Sequence, residues 1–441
     1  MKKIKLFILL LSAMLITSPK TKAQIVLIEE KEYTPAVFIM ARDGDSKHDR
    51  AKIHARVVDD YRETDRRGFR QSHKPNFIFA SPDNKFSFAL GGYVSLRTSY
   101  DFNSVIDNID FVTYDIPMKS GFANRQRVMM DASTSRIFAK AIINGCPVGR
   151  IVIYGAMDFR GGSAGSYIPR LRSAYMQFMG FTIGRDVTTF CDLKAAPTTI
   201  DFEGPNAYNF NFTEMIRYEH NFLRNHLTLG AAVEVPKVNG TYGEHFAPIR
   251  QRVPDAIAYI QYAWGANKSS HLRLSGVIRD MYLHNVTAAK NTTQVGWGVQ
   301  LSGHISATRW VDIYMNGVYG KGITPYIQDL TGSPYDVAYN PENPTQIQTM
   351  PMWGWQAAAQ VNILPGRFWV AGGYSEVGLE KHNGYLADNE YHRGQYIFGN
   401  AFLNVHKSFT LAVEYLYGSR KNMDGREGSA NRVSLLMQYN F

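Results

Sequence analysis

Three groups of residues have types and spacings that could carry chemistry. The first is Gly161-Gly162-Ser163-Ala164-Gly165, which fits G-x-S-x-G. That spacing presents a nucleophile only where a strand turns sharply into a helix. Here it falls in a glycine-rich loop between two stretches of strand periodicity, so no catalytic residue is assigned. The second group is the 12 histidines and two cysteines. The histidines show no metal-ligand spacing such as H-E-x-x-H, and no metal or cofactor is expected. Cys146 and Cys191 fall at opposite ends of the strand layout below, and a disulfide needs α-carbons within about 7 Å, so two unlinked thiols are expected. The third group is a set of arginines, Arg97, Arg127, Arg160, Arg170, Arg172 and Arg217, recurring on one face of alternating segments. Guanidinium groups recognise carboxylates and other anions through paired hydrogen bonds.

The elements that must position these arginines alternate with period two. Phe86, Phe88, Leu90, Gly92, Val94, Leu96, Thr98 and Tyr100 make one face; Ser87, Ala89, Gly91, Tyr93, Ser95, Arg97 and Ser99 make the other. A strand sends successive side chains to opposite faces. The pattern returns at Ile151–Arg160, Leu272–Arg279, Trp297–Ile305, Trp353–Ile363 and Phe409–Tyr415. Short turns (144–149, 223–226, 266–269, 307–309, 364–366, 406–408) alternate with long loops (101–124, 194–211, 237–252, 323–350, 379–391). Short turns at one end and long loops at the other, with 26 Tyr, 25 Phe and 37 Gly but no long apolar run after the first residues, predict an all-β fold. That fold is a transmembrane antiparallel barrel of about sixteen strands. The last strand, Val433, Leu435, Met437, Tyr439 and Phe441 against Arg432, Ser434, Leu436, Gln438 and Asn440, must then pair with the first, because lipid tolerates no open edge.

Met1 to Ala23 reads as a secretory signal peptide: Lys2, Lys3 and Lys5, an apolar run over Leu6–Ile16, and a small-residue cleavage site before Gln24. Of the net charge of +10, five lysines leave with that segment, so +5 remains. This modest excess does not argue for nucleic acid. Residues 24–80 are charge-dense, with a weak helical stripe at Ile53, Val57, Val58 and Tyr61. They read as a short periplasmic extension, helical in part or disordered, before a barrel over 81–441. Asp43-Gly44-Asp45 is too short a ligand series for a calcium loop.

Alternation turns the six arginines inward, against the inward acids Asp131, Asp158 and Glu219. Later strands set Arg273, Arg279 and Arg432 against Glu234, Asp255, Asp312 and Glu414. The early sector is therefore expected to be locally positive. The plainer reading is that arginines and acids pair across strands and hold the wall. The phase is lost after Ser133, which leaves Arg136 and Lys140 unassigned. The 194–211 loop, with Pro197, Gly204, Pro205 and apolar Ile200 and Phe202, either folds into the lumen or lies exposed.

Phe88–Asn103, FALGGYVSLRTSYDFN, resembles the first strand of the DcaP-like porins. Gly184–Pro205, GRDVTTFCDLKAAPTTIDFEGP, resembles their strand and constriction-loop signature, and Ile216-Arg217-Tyr218 follows as in that family. The resemblance implies a homotrimeric sixteen-stranded porin in the bacterial outer membrane, in contact with its lipid, passing small anionic solutes such as dicarboxylates. It implies that Arg217 and the Asp192–Pro205 loop, with Lys194, Asp201 and Glu203, line the narrowest part. Two features depart from the pattern: Arg185-Asp186-Val187 stands where a Gln-Thr-Trp-type run is expected, and 24–80 lacks coiled-coil heptads. The expected function is passive, non-enzymatic diffusion. The alternative is a closed barrel serving as an adhesin, receptor or lipid-directed enzyme.

Overall fold

The computed structural model describes residues 35–40, 47–64, 75–119, 121–163, 165–381 and 384–441. The expected leader and Asp43-Gly44-Asp45 lie outside them. The elements are β1 (Ala36–Ile39), α1 (Lys47–Glu63), β2 (Phe77–Ala80), β3 (Phe86–Phe102), β4 (Gln126–Asp131), β5 (Arg136–Cys146), β6 (Gly149–Asp158), β7 (Arg170–Phe178), β8 (Phe181–Val187), β9 (Phe212–Phe222), β10 (Leu227–Glu234), β11 (Asp255–Trp264), β12 (Ser270–Asn285), β13 (Lys290–Thr308), β14 (Val311–Lys321), β15 (Pro351–Leu364), β16 (Phe368–Leu379), β17 (Tyr391–His406), β18 (Phe409–Asn422) and β19 (Glu427–Asn440). Short strands at 240–241, 246–248, 337–339 and 347–349 decorate the long loops.

β4 and β5 follow one another along a single edge of β3 and make one broken stave, so β3 to β19 form a closed antiparallel barrel of 16 staves. Period-two alternation sets the faces. Along β3, Leu90, Val94 and Leu96 point outward and are exposed, while Ser95 and Arg97 point inward and are buried. β19 closes the ring on β3, from Asn431 opposite Phe102 to Asn440 opposite Tyr93. The terminal Phe441 completes the seam, exchanging 3.0 Å backbone bonds in both directions with Gly92. A side chain at Gly92 would run into the Arg136 carbonyl and come 2.9 Å from the Phe441 ring, so the seam requires glycine there.

The break in the second stave explains the lost phase after Ser133. Asp131 turns its carboxylate onto the Ser133 backbone N–H (3.1 Å) and hydroxyl (2.8 Å), and Ser95 meets Thr134 Oγ1 (2.8 Å) and Ser135 Oγ (3.0 Å). Side chain to backbone bonds of this kind compete with the ladder. Past the break Arg136 and Lys140 face inward and are buried. One tight turn escaped the sequence reading: Met179 and Gly180, at φ 49° and 87°, form a two-residue hairpin between β7 and β8.

The described residues at 35–40, 47–64 and 75–80 do not stand apart from the barrel. β2 runs antiparallel to β3, from Phe77 opposite Leu90 to Ala80 opposite Ser87, on the stretch of edge that β19 leaves below Gly92, and β1 pairs parallel to β2. The α1 stripe is buried at Val57, Val58 and Tyr61. Tyr61 donates to the Lys140 carbonyl (3.1 Å), and Asp60 accepts from Arg150 (2.6 Å), Asn144 (2.8 Å) and Asn84 (3.1 Å) at the short-turn end. The expected boundary at 80/81 thus falls in a hairpin.

The inner surface is not uniformly wet. In the long-loop half, inward Ile257, Val277 and Val318 pack with Phe190, Tyr326, Ile327, Leu330, Tyr335 and Tyr391 from loops and strand ends. Toward the tight turns the inward residues are polar and partly exposed, as at Gln261, Gln360, Asn404 and Gln438.

Candidate functional site

The 188–211 loop leaves β8 and crosses the lumen, bound to the inner wall stave by stave. Glu234 of β10 accepts from Thr188 Oγ1 and from the Thr189 N–H, each at 2.6 Å. Arg273 of β12 donates to the Thr189 carbonyl and lies over the Tyr259 ring at 3.5 Å. Gln300 of β13 donates to the Phe190 carbonyl (3.1 Å), Asn316 of β14 to that of Ala207 (3.0 Å) and Gln356 of β15 to that of Ala195 (3.1 Å). Ser375 of β16 bridges Asn206 Oδ1 (2.7 Å) and the Ala207 N–H (3.0 Å). On the far side Glu414 of β18 accepts from the Ile200 N–H (2.8 Å) and the Asp201 N–H (2.7 Å). Buried backbone groups must find partners, and the inward polar residues of the wall supply them. Gly204, at φ 74°, allows the chain to turn before Pro205, whose carbonyl accepts from the Tyr208 N–H (2.9 Å).

The loop acids have distinct roles. Asp192 accepts from His271 (2.8 Å) and Ser302 (2.7 Å) and caps the Lys194 N–H (3.3 Å). Burial pushes its carboxyl up, but the hydrogen bond and charge of His271, helped by Arg273 and Ser302, bring it down to about 2. Asp201 accepts from the Phe111 N–H (3.1 Å) and the Tyr396 hydroxyl (2.9 Å). Glu203 is 7 % exposed, and its Oε1 accepts no hydrogen bond. Burial, then the charges of Asp201 and Asp329, push its carboxyl well above the ordinary range. Lys194 is exposed, with no ion pair among the described residues.

The arginines are brought together, but with more acids than the alternation counted. Arg97 reaches Asp110 (3.3 Å) and Asp131 (3.6 Å). Arg160 sits just past the end of β6 and reaches Asp110 at 2.5 Å. Against the upward push of burial, Arg160 and then Arg97 hold the Asp110 carboxyl below its ordinary range. Arg170 grips Asp158 with two bonds (2.9 and 2.7 Å), and Arg172 adds a third at 2.8 Å. Arg127 contacts Asp107 (3.0 Å) and Asp101 (3.7 Å); Arg217 contacts Asp186 (3.4 Å) and Glu219 (3.5 Å). Later staves pair similarly: Arg279 with Asp255 and Asp336, each at 3.0 Å, and Arg432 with Asp101 at 2.5 Å. Asp101 and Asp186 share the parity of the arginines, so alternation could have found them. Asp110 and Asp336 come from loops and left no periodic signal.

Phe202, at the loop tip, meets the guanidinium groups of Arg97 (5.8 Å), Arg160 (5.1 Å) and Arg172 (4.8 Å), while Arg172 also lies over Phe210 (5.2 Å) and Phe212 (4.4 Å). An aromatic face attracts such cations, so the tip docks on the arginine sector. The Nε and Nη2 donors of both Arg97 and Arg172 carry no hydrogen bond. Cys146 lies at the β5–β6 turn and Cys191 is buried in the loop, and both are free thiols. Ser163 lies exposed in the β6–β7 loop, with no helix following it.

Comparison with known proteins agrees with this architecture. Among curated proteins no sequence matches the chain. The outer membrane channel DcaP of Acinetobacter baumannii is similar in structure at a TM-score of 0.69 and 20% identity, over 85% of this chain and 100% of that one. An anion-selective porin from Comamonas acidovorans (TM-score 0.52, 12% identity, 81% of this chain and 100% of that one) and Salmonella typhi OmpF (TM-score 0.52, 12% identity, 81% and 99%) share the fold. The DcaP outer membrane protein family matches residues 72–308, more than half of the chain. With the closed barrel, its lumen-crossing loop and the clustered arginines, this establishes the chain as an outer-membrane β-barrel channel of the DcaP outer membrane protein family.

Proposed function

We propose that the channel conducts small solutes passively and prefers anions, dicarboxylates among them. One observation carries the reading: Arg97, Arg160 and Arg172 converge on Phe202 at the tip of the lumen-crossing loop and concentrate positive charge there. A carboxylate passing the tip meets the fixed positive charge of this sector, which lowers the cost of entering the narrow stretch. Asp110, Asp131 and Asp158 set the resting field close to balance, so discrimination is modest and local. Charge is screened over about 8 Å at physiological salt, and it acts only where the loop brings the solute against the wall. Lys194, exposed on the same loop, adds a further cation.

No catalytic role is part of this reading. A homotrimer and a cleaved leader are part of the proposal, supported by the family resemblance and by the leader-like first residues. The test is a planar bilayer holding the reconstituted protein under a potassium chloride gradient. The expected reversal potential lies toward the chloride equilibrium value, with conductance steps in threes, and Arg172→Gln combined with Arg97→Gln moves it toward zero. A potential on the cation side, or one indifferent to both substitutions, refutes the reading. The apolar packing in the long-loop half favours one second reading, a barrel closed at rest that binds a partner through its loops; total absence of conductance would select it.

A further inference from the structure

The inner wall at the tight-turn mouth is covered on one side. Around the rest of that mouth, inward Gln261, Gln360, Asn404 and Gln438 stay partly exposed. Ser87, Ile142 and Val152 are inward cross-strand partners on β3, β5 and β6 at the same end, yet they are only 1 %, 0 % and 5 % exposed. The element docked on this sector is α1, whose own Val57, Val58 and Tyr61 are buried. Its last turns are tied to the rim. Asp60 accepts from Asn84, Asn144 and Arg150, and Arg150 also reaches Glu63 at 2.8 Å. One residue on, Tyr61 extends past the rim to Lys140. Its hydroxyl donates to the Lys140 carbonyl (3.1 Å), and the Lys140 ammonium lies over its ring at 5.3 Å from the centroid. Lys140 takes the inward position next above Ile142 on β5 and is buried.

Sixteen tilted staves about 4.8 Å apart close a ring roughly 30 Å across, and a helix with its side chains is about 10 Å thick. A helix seated against the inside of that ring narrows the passage and shields the wall behind it. We propose that α1 is a second constriction of the path, at the tight-turn mouth, and that by covering Lys140 it keeps one inward cation away from passing solutes. Lys140 is then a selectivity residue whose effect α1 sets. This rests on the passive, anion-preferring reading and adds a second place along the path where preference is decided, far from the 188–211 loop. The charge of Lys140, once bared, favours anions by the same electrostatics that act at the loop tip.

Asp60→Ala combined with Tyr61→Ala removes the bonds at the rim and the contact with Lys140. Planar-bilayer recordings under a potassium chloride gradient compare this pair with wild type, with Lys140→Gln alone, and with all three substitutions together. Heat-dependent gel migration confirms that each variant is a folded barrel. Releasing α1 is expected to raise the single-channel conductance and to move the reversal potential further toward the chloride value. Lys140→Gln alone should leave the potential where wild type has it, because the ammonium is already covered. Added to the released helix, it should return the potential to the wild-type value while the larger conductance stays. An unchanged conductance in the Asp60→Ala, Tyr61→Ala protein overturns the constriction. A shift from Lys140→Gln as large with α1 docked as with it released overturns the shielding. A wild-type potential on the cation side, together with a conductance that rises on release, refutes the anion preference and supports the constriction by itself.

Discussion

The hold of Glu414 on the loop tip offers the sharpest perturbation. Its two carboxylate oxygens accept from consecutive backbone N–H groups, Ile200 at 2.8 Å and Asp201 at 2.7 Å, and Oε2 also accepts from Asn400 at 2.9 Å. Glu414→Ala removes both backbone bonds and leaves two buried N–H groups without acceptors. Bonds to an ionised acceptor contribute about 1.5–3 kcal/mol each, so the docked tip loses roughly 3 kcal/mol at the low end. Its other anchors, Asp192 on His271 and Ser302 and Asn206 on Ser375, remain, so the barrel stays closed and only the tip is released. At about 1.4 kcal/mol per tenfold, the undocked tip becomes on the order of a hundred times more populated. Single-channel recording should show frequent excursions to a larger conductance, with weaker anion preference during them. Glu414→Gln keeps a neutral acceptor and should fall between. If the alanine variant gates, conducts and discriminates as wild type does, the tip is not what sets the narrow stretch, and the reasoning fails.

Asp158→Asn removes the acid shared by Arg170 and Arg172. It should destabilise the barrel by about 3–5 kcal/mol, the cost of stranding a buried charge, while shifting the reversal potential further toward chloride; thermal unfolding in detergent and the bilayer measurement check the two halves. Glu203 carries a carboxyl held well above its ordinary range by burial and neighbouring acids. Its native form therefore binds the proton more tightly than the unfolded chain, so its contribution to stability is fullest below the ordinary carboxylate range and is lost as pH rises through the raised value. Glu203→Gln should flatten that decline and unfold at a higher temperature than wild type on its alkaline side; parallel pH–stability curves would contradict this. Gly92→Ala forces a Cβ against the Arg136 carbonyl and the Phe441 ring. It should cost about 1–3 kcal/mol, as overpacking does, and lower the temperature at which the barrel loses its compact gel migration.

Strand periodicity carried most of the architecture because lipid imposes it residue by residue. Outward Leu90, Val94 and Leu96 and inward Ser95 and Arg97 could be told apart from their order alone, and a barrel must close, so the pairing of the last strand with the first followed too. The turn at Met179-Gly180 was missed because its signal is a pair of left-handed backbone conformations, not a run of polar residues. The docking of α1 was hidden for a different reason. Its partners, Asn84, Asn144 and Arg150, come from separate strand ends that only the folded rim gathers around Asp60.

The chemistry of the lumen divides along the same line. Residue order alone decided that Arg97, Arg172 and Arg217 point inward, because side-chain direction in a strand depends only on parity. It could not decide what they meet. Asp110 and Phe202 come from loops, where no period relates position to direction, and they reach the arginines only because the 188–211 loop is tied across the barrel to Glu414. The balance of charge around the path, and the carboxylate of Glu203 left without a donor, exist only once the distant wall has captured that loop.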